Sequence, residues 1–168
     1  MSYIIGIDLG TTNTALFYAN KDEPNQPLKQ FRVPQAAHDG VEEMDSLPSL
    51  VYLVQGHEVK GQSLVLPWEG PSHYVVGSMA EQLGKQIPTR LIHSAKSWLG
   101  LPHSRGRDAI LPSCGDPAVA KISAMESVRR ILDHLRNAWN HRFKQHPMEK
   151  QSVILTVPAS FDDRARRI

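Results

Sequence analysis

Hydrophobic residues near the N-terminus form two short runs with a polar turn between them. Residues 4–9 read IIGIDL, residues 15–19 read ALFYA, and the turn reads GTTNT. Short runs of β-branched and aromatic residues, joined by glycine and asparagine, are typical of a β-hairpin. We therefore predict two antiparallel strands, and the first of them carries one carboxylate, Asp8, close to its end.

Further extended segments are predicted before the chain changes to helical periodicity. Residues 28–33 are a candidate third strand. A proline-led apolar run at 47–54 is followed by a short run at 57–61, which together predict a second hairpin. The acidic stretch 34–46 is interpreted as an exposed loop, because it combines an Asp-Gly pair with several other acidic residues.

The spacing of apolar residues then predicts three helices. The first starts near Ser78, which suits an N-cap. The second covers 89–100, and the third covers 123–144, where Ser123 and Glu126 are spaced as a capping box. The third helix and its C-terminal flank contain histidines that we interpret as surface residues rather than metal ligands, namely His134, His141 and His146.

The final segment predicts a buried strand followed by the start of a helix. Residues 152–157 are an apolar run, Pro158 follows it, and a helix is expected from position 162. With 168 residues, of which 40% are hydrophobic, the chain can bury a core of its own. One domain, with room for a subdomain, is the expectation.

Charge and composition exclude several classes of function. The net charge is +2 and the one concentration of basic residues is at 164–167, so no nucleic-acid partner is predicted. The single cysteine, Cys114, excludes an internal disulfide and a cysteine zinc site. No apolar run reaches membrane-spanning length and the N-terminus lacks a signal-peptide pattern, so we predict a cytoplasmic protein without a membrane partner.

The tip of the first hairpin has the chemistry of a phosphate site. Its glycine, hydroxyl and amide residues offer N–H and O–H donors in a tight turn, which suits phosphate oxygens; they are Gly10, Thr11, Thr12 and Asn13. Asp8 beside bound phosphates would repel them unless a divalent cation lay between, which implies Mg²⁺. An ordinary hairpin with a solvated Asp8 also fits these residues.

This stretch resembles the first phosphate motif of the actin-like ATPase superfamily, which includes sugar kinases, MreB, actin and the 70-kDa heat-shock chaperones. Three other stretches resemble the DnaK-like chaperones, and the first of them also resembles the Pro-Ser strand of MreB-like proteins. Residues 47–49 are similar to the chaperones' Thr-Pro-Ser strand start, and Lys96 to Gly100 match their lysine, three residues and glycine. Residues 152–167 resemble their signature VITVPAYFND.QR, with Ser160 in place of the usual tyrosine.

The resemblance implies an α/β fold of the ribonuclease-H/actin-like ATPase type. Residues 1–168 would be the first lobe of a longer, two-lobed nucleotide-binding domain, with a smaller subdomain inserted at about 36–115. ATP and Mg²⁺ are the implied cofactors. Unfolded polypeptides and co-chaperones are the implied partners of the full-length protein.

The same resemblance implies a role for each matching residue. Asp8 would hold Mg²⁺ through water, and the β- and γ-phosphates would be cradled by Gly10, Thr11, Thr12 and Asn13. Lys96 lies off the apolar stripe of its helix, where a lysine is ordinarily solvated, but in the chaperones this lysine acts at the γ-phosphate. Pro158 and Arg166 would transmit the nucleotide state to the peptide-binding half.

Two alternatives stay open: a carbohydrate kinase and an MreB-like filament protein of the same superfamily. Both are compatible with the first hairpin, but neither carries a lysine element like that at Lys96. Because the superfamily clamps its nucleotide between two lobes, we expect this chain alone to bind ATP weakly and not to turn it over.

Overall fold

The computed structural model describes residues 2–55, 65–68, 72–99, 106–115 and 119–156. Within these ranges the chain is mixed α/β. The strands are β1 (Tyr3–Leu9), β2 (Asn13–Asn20), β3 (Lys29–Gln30), β4 (Val33–Ala37), β5 (Gly40–Met44), β6 (Leu47–Pro48), β7 (Val51–Leu53), β8 (Tyr74–Val76), β9 (Leu91–Ile92) and β10 (Ser152–Thr156). The helices are α1 (Ser78–Gln86), α2 (Ala95–Leu99) and α3 (Ala124–Arg142), and 3₁₀ turns cover Pro88–Arg90 and Met148–Lys150.

The largest sheet is built on the first hairpin, which confirms that prediction. Its strand order is β10-β1-β2-β3, and β6 also pairs with β2. β1 is antiparallel to β2 and parallel to β10, so the sheet is mixed. β3 is the predicted third strand in shortened form. The two smaller sheets are the pair β4-β5 and the three strands β8-β7-β9.

Alternation along β1 separates the core from the exposed face of this sheet. Ile5, Ile7 and Leu9 are buried, whereas Ile4 and Asp8 are exposed. Successive side chains of a strand point to opposite faces, so the buried positions are those that meet the core. Asp8 consequently faces away from the core at the C-terminal end of β1.

Helix α3 covers the core face, and its predicted capping is confirmed. The Ser123 side chain accepts a hydrogen bond from the Glu126 N–H at 3.0 Å, and the helix ends at a C-cap on Phe143. Trp139, fully buried, packs edge-on against Tyr3 at 5.5 Å between ring centroids and against Tyr18 at 5.3 Å. The first hairpin and α3 are therefore joined by one aromatic cluster.

The segment 34–46, predicted as a loop, contains most of the β4-β5 hairpin. The prediction was wrong because it weighted the acidic residues, of which Glu42 and Glu43 lie at exposed positions of β5, while β4 is buried throughout. Buried Gln35 is satisfied at both ends of its amide. Its Nε2 donates to the Ser46 carbonyl at 2.8 Å, and its Oε1 accepts from the Ser78 N–H at 2.9 Å.

Ser78 was predicted to be the N-cap of α1, and this prediction was wrong. The Ser78 N–H instead donates to the Gln35 side chain. The N-cap is Gly77, with φ 79°, and Ser78 is the first helical residue. A side chain at Gly77 would strain the backbone and approach Gln35 Oε1 to 2.3 Å. The acceptor at the N-terminus of α1 is therefore the Gln35 side chain of β4.

The helix predicted over 89–100 is also wrong in its first half. Residues 88–90 form a 3₁₀ turn and Leu91–Ile92 form β9, so the helix begins only at Ala95. Ile92 pairs with Val51 of β7, and this pairing across the small sheet overrides the local helical spacing. The predicted cap, Gly100, lies outside the described residues.

Strand β10 was predicted to be buried and is exposed. Its central residue, Ile154, is 57% exposed, and Val153 and Leu155 are exposed as well. β10 is the edge of the largest sheet, since β1 covers one side of it and no described strand pairs with the other. The predicted helix start, Pro158 and Arg166 lie outside the described residues, as does the second hairpin's partner run at 57–61.

Two hydrophobic clusters bear on the predicted subdomain at 36–115. The smaller is formed wholly within that range, by Ala36, Tyr52, Val54, Leu66, Val75, Met79 and Ala80. The larger joins β1, β2 and α3 to residues of β7, β9 and α2, so it extends across the proposed boundary. The subdomain stays a prediction.

In the described ranges, no helix has the length and apolarity needed to cross a membrane.

His134 is buried, which corrects its interpretation as a surface residue. Its Nε2 lies 2.9 Å from the Pro34 carbonyl oxygen, which can only accept, so Nε2 carries a proton and donates. The Trp68 ring contacts it edge-on at 5.6 Å. Burial lowers the pKa of His134 to about 4, so the imidazole is neutral in the folded protein at pH 7.

This buried imidazole should make the protein less stable as the pH falls. The folded-state pKa is below the value of about 6.5 expected in the unfolded chain, so unfolding takes up a proton between these values. We expect the free energy of unfolding, measured with urea, to lose about 2 kcal/mol through this group between pH 7 and pH 5. His134→Gln should remove that share, whereas His141→Gln, at an exposed position, should retain it. Equal pH dependence in wild type and His134→Gln would contradict this.

Candidate phosphate-binding site

The loop between β1 and β2 is too tight for a side chain at its first position. A Cβ atom added to Gly10 would lie 2.1 Å from the carbonyl oxygen of Asn13. Only glycine allows this approach of the backbone to itself. The next three residues, Thr11, Thr12 and Asn13, are exposed, so the predicted phosphate-binding residues form an accessible tip.

Ser49, just after β6, holds the base of this loop. Its N–H donates to the Thr12 carbonyl at 2.8 Å, and its hydroxyl donates to the Gly10 carbonyl at 2.8 Å. The Thr14 hydroxyl lies 2.9 Å from the Ser49 hydroxyl. Thr14 is 0% exposed and Ser49 is 5% exposed, so these bonds are shielded from water. β6 continues the contact by pairing Leu47 with Thr14.

Asp8 is positioned by the strand next to its own. The Thr156 hydroxyl donates to Asp8 Oδ1 at 2.8 Å. The two residues are register partners in the parallel β1-β10 pair, so their side chains leave the same face of the sheet. Thr156 thereby fixes the carboxylate at the C-terminal end of both strands, beside Gly10.

Lys96 lies in α2 and is only 7% exposed, although its place off the apolar stripe suggested a solvated side chain. Burial lowers the pKa of Lys96, and the negative charge of Asp8 acts in the opposite direction. Asp8 and the loop lie at the same end of the largest sheet, and the charge of Asp8 acts on Lys96.

The donor set suits Mg²⁺ bound mainly by phosphate and water. In the part of the chain that the structure describes, no group of three or more histidine, cysteine, aspartate or glutamate side chains could hold a metal ion. Asp8 is one exposed carboxylate beside a loop rich in N–H and hydroxyl donors. Mg²⁺ usually keeps several waters and binds through one or two carboxylates together with substrate phosphates, which fits this arrangement.

Two of the predicted site residues cannot be compared with the structure, and three residues that contribute to the site were not predicted. Pro158 and Arg166 lie outside the described residues. Ser49, Thr14 and Thr156 had no predicted role at the site. The hydrogen bonds that place Ser49 and Thr156 at the site join residues 39 and 148 positions apart, which short-range patterns do not report. No protein-family model matches the sequence.

The electrostatic interaction between Asp8 and Lys96 can be tested by titration. Asp8→Asn removes the charge that raises the pKa of Lys96, so we expect this pKa to fall further below its ordinary value. The ¹³Cε shift of Lys96, followed by NMR against pH, measures it. Asp39→Asn, in the turn between β4 and β5, removes an acidic charge elsewhere and should leave the Lys96 pKa in place. An unchanged pKa in Asp8→Asn would show that the two side chains are apart.

Proposed function

We propose that this chain is the N-terminal lobe of an ATP-dependent, DnaK-like molecular chaperone. It binds the phosphates of Mg-ATP, and in the full-length protein hydrolysis of ATP is coupled to the binding of unfolded polypeptide. The observation that carries the proposal is the burial of Lys96 together with its electrostatic interaction with Asp8. A mostly buried lysine on which Asp8 acts, combined with a tight loop of exposed donors next to Asp8, fits phosphoryl chemistry better than it fits an ordinary hairpin.

The topology supports the finer fold assignment, a ribonuclease-H/actin-like ATPase lobe. Such a lobe is expected to contain a mixed sheet opened by the first hairpin, with the long helix packed on it. The antiparallel β1-β2 pair, the parallel β1-β10 pair and the packing of α3 on the core face agree with that expectation.

Each residue of the site has a chemical task in this proposal. The loop donors bind the β- and γ-phosphate oxygens, which orients the terminal phosphate. Bound Mg²⁺ would neutralise phosphate charge, and Asp8 would hold it through water. The Lys96 ammonium group lies in a partly water-excluded position, where its charge stabilises developing negative charge more strongly than it would in bulk water.

The remaining elements of the proposal rest on the sequence resemblance. Pro158 and Arg166 would couple the nucleotide state to the peptide-binding half, with unfolded clients and co-chaperones as partners and the cytoplasm as the compartment. A carbohydrate kinase or a filament protein would use the same first hairpin. Lys96 is what separates the candidates, because neither alternative has a use for a lysine at this position.

Lys96 should be needed for hydrolysis and not for binding. In the full-length protein, we expect Lys96→Ala to slow single-turnover hydrolysis of Mg-ATP by roughly 10²–10³-fold, the usual effect of losing one charge-stabilising group. Mg-ATP affinity, measured in parallel, should persist. Lys85→Ala, on the exposed side of α1, is the matched control and should hydrolyse ATP at the wild-type rate. Unchanged hydrolysis in Lys96→Ala would favour another member of the superfamily.

The 168-residue chain alone should bind ATP weakly and not hydrolyse it. Half of the proposed contacts belong to a second lobe, so the terminal phosphate is not held in a reactive position. An NMR titration with Mg-ATP should shift the amide signals of residues 10–13 at millimolar concentration, while steady-state assays detect no phosphate release. A steady rate that Lys96→Ala abolishes would overturn this expectation.

A further inference from the structure

We propose that Ser49, oriented by Thr14, is the positioning residue that aims the N–H groups of the phosphate loop. The inference rests on the proposed function, because it gives these two hydroxyl groups a role in binding phosphate. The Ser49 hydroxyl acts through the Gly10 carbonyl group, and the Ser49 backbone N–H acts through the Thr12 carbonyl group.

The direction of the hydrogen bonds follows from proton counting. A hydroxyl group has one proton, and the Gly10 carbonyl can only accept, so the Ser49 proton is committed to Gly10. In the contact between the two hydroxyl groups, Thr14 must therefore be the donor. The result is a one-way chain from Thr14 to Ser49 to the Gly10 carbonyl. Since both side chains are buried, water does not compete for it.

Because the peptide unit is planar, this series of hydrogen bonds also sets the direction in which the N–H groups of the loop point. In a trans peptide unit the C=O and the N–H point in opposite directions. The Gly10 and Thr12 carbonyl groups both point at Ser49, so the N–H groups of Thr11 and Asn13, which share those peptide units, both point away from it.

Two donors are thus presented on the side of the loop opposite Ser49. The carbonyl oxygens, which are the negative ends of these two peptide dipoles, lie on the side of Ser49. An anion approaching the tip meets N–H groups, and the carbonyl oxygens that would repel it are occupied.

A second buried serine provides a matched control for a purely structural role. The Ser78 hydroxyl donates to the Ala36 carbonyl at 3.2 Å, and Ser78 is buried, as Ser49 is. Removing either hydroxyl group deletes one buried bond to a backbone carbonyl, and removing that of Ser49 also deletes the bond from Thr14. If Ser49 served only stability, Ser49→Ala and Ser78→Ala would have similar effects on every property.

The test uses the 168-residue chain with inorganic tripolyphosphate and Mg²⁺ as the probe, so that no contact to a nucleoside is needed. Affinity is measured by NMR titration. We expect Ser49→Ala to weaken binding roughly tenfold, the effect of one buried hydrogen bond. Thr14→Val should weaken it severalfold, while Thr14→Ser, which retains the hydroxyl group, and Ser78→Ala should bind like the wild type.

A second measurement needs no ligand and separates this inference from the proposed function. In the free protein, Ser49→Ala should change the amide shift of Thr11, whose N–H shares the Gly10 peptide unit, while Ser78→Ala leaves it unchanged. If wild type does not bind the probe, the proposed function fails, and this amide alone decides whether Ser49 orients the loop.

An unchanged Thr11 amide shift in Ser49→Ala, wild-type affinity in that variant, or equal loss of affinity in Ser78→Ala would each overturn the inference. If Ser49→Ala does not fold, the comparison of Thr14→Val with Thr14→Ser decides instead. That pair differs by retention of the hydroxyl group that donates to Ser49.

Discussion

The two-residue alternation of β1 is the constraint on which both the core and the candidate site depend. Ile5, Ile7 and Leu9 are buried in the core that α3 completes, and this burial determines the face from which Asp8 must leave the strand. A shift of one residue in register would bury the carboxylate and expose the isoleucines. The hydrophobic core thus fixes the position of the charged group without contacting it.

The two oppositely charged residues of the candidate site differ in their exposure to solvent. Asp8 is exposed and retains water, whereas Lys96 is buried and depends on Asp8 to offset part of the desolvation that lowers its pKa. A buried lysine costs folding free energy that an apolar side chain would not. Residues that weaken the fold in this way are commonly found at functional sites, and among the described residues Lys96 is one to which that reasoning applies.

Local patterns predicted some elements correctly because those elements are determined locally. The first hairpin and α3 have their turn and capping residues within a few positions of the strands and helix that they delimit. The failures share a different cause. The β4-β5 hairpin, the strand at 91–92, the exposure of β10 and the burial of His134 all depend on which distant segment lies alongside. At the site, the loop and Asp8 could be predicted, whereas Ser49 and Thr156 could not.

The pairing of β1 with β10 gives the site a place in the order of folding. The β1-β2 hairpin closes a short turn, but the bond from Thr156 to Asp8 joins residues 148 positions apart. Closing a loop about thirty times longer costs about 3 kcal/mol more chain entropy, so the local hairpin forms far more readily than the distant pairing. A chain emerging from the ribosome can form the loop early, but Thr156 can hold the Asp8 carboxylate only after position 156 has been synthesised. In the order of folding, the loop therefore precedes the positioning of its carboxylate.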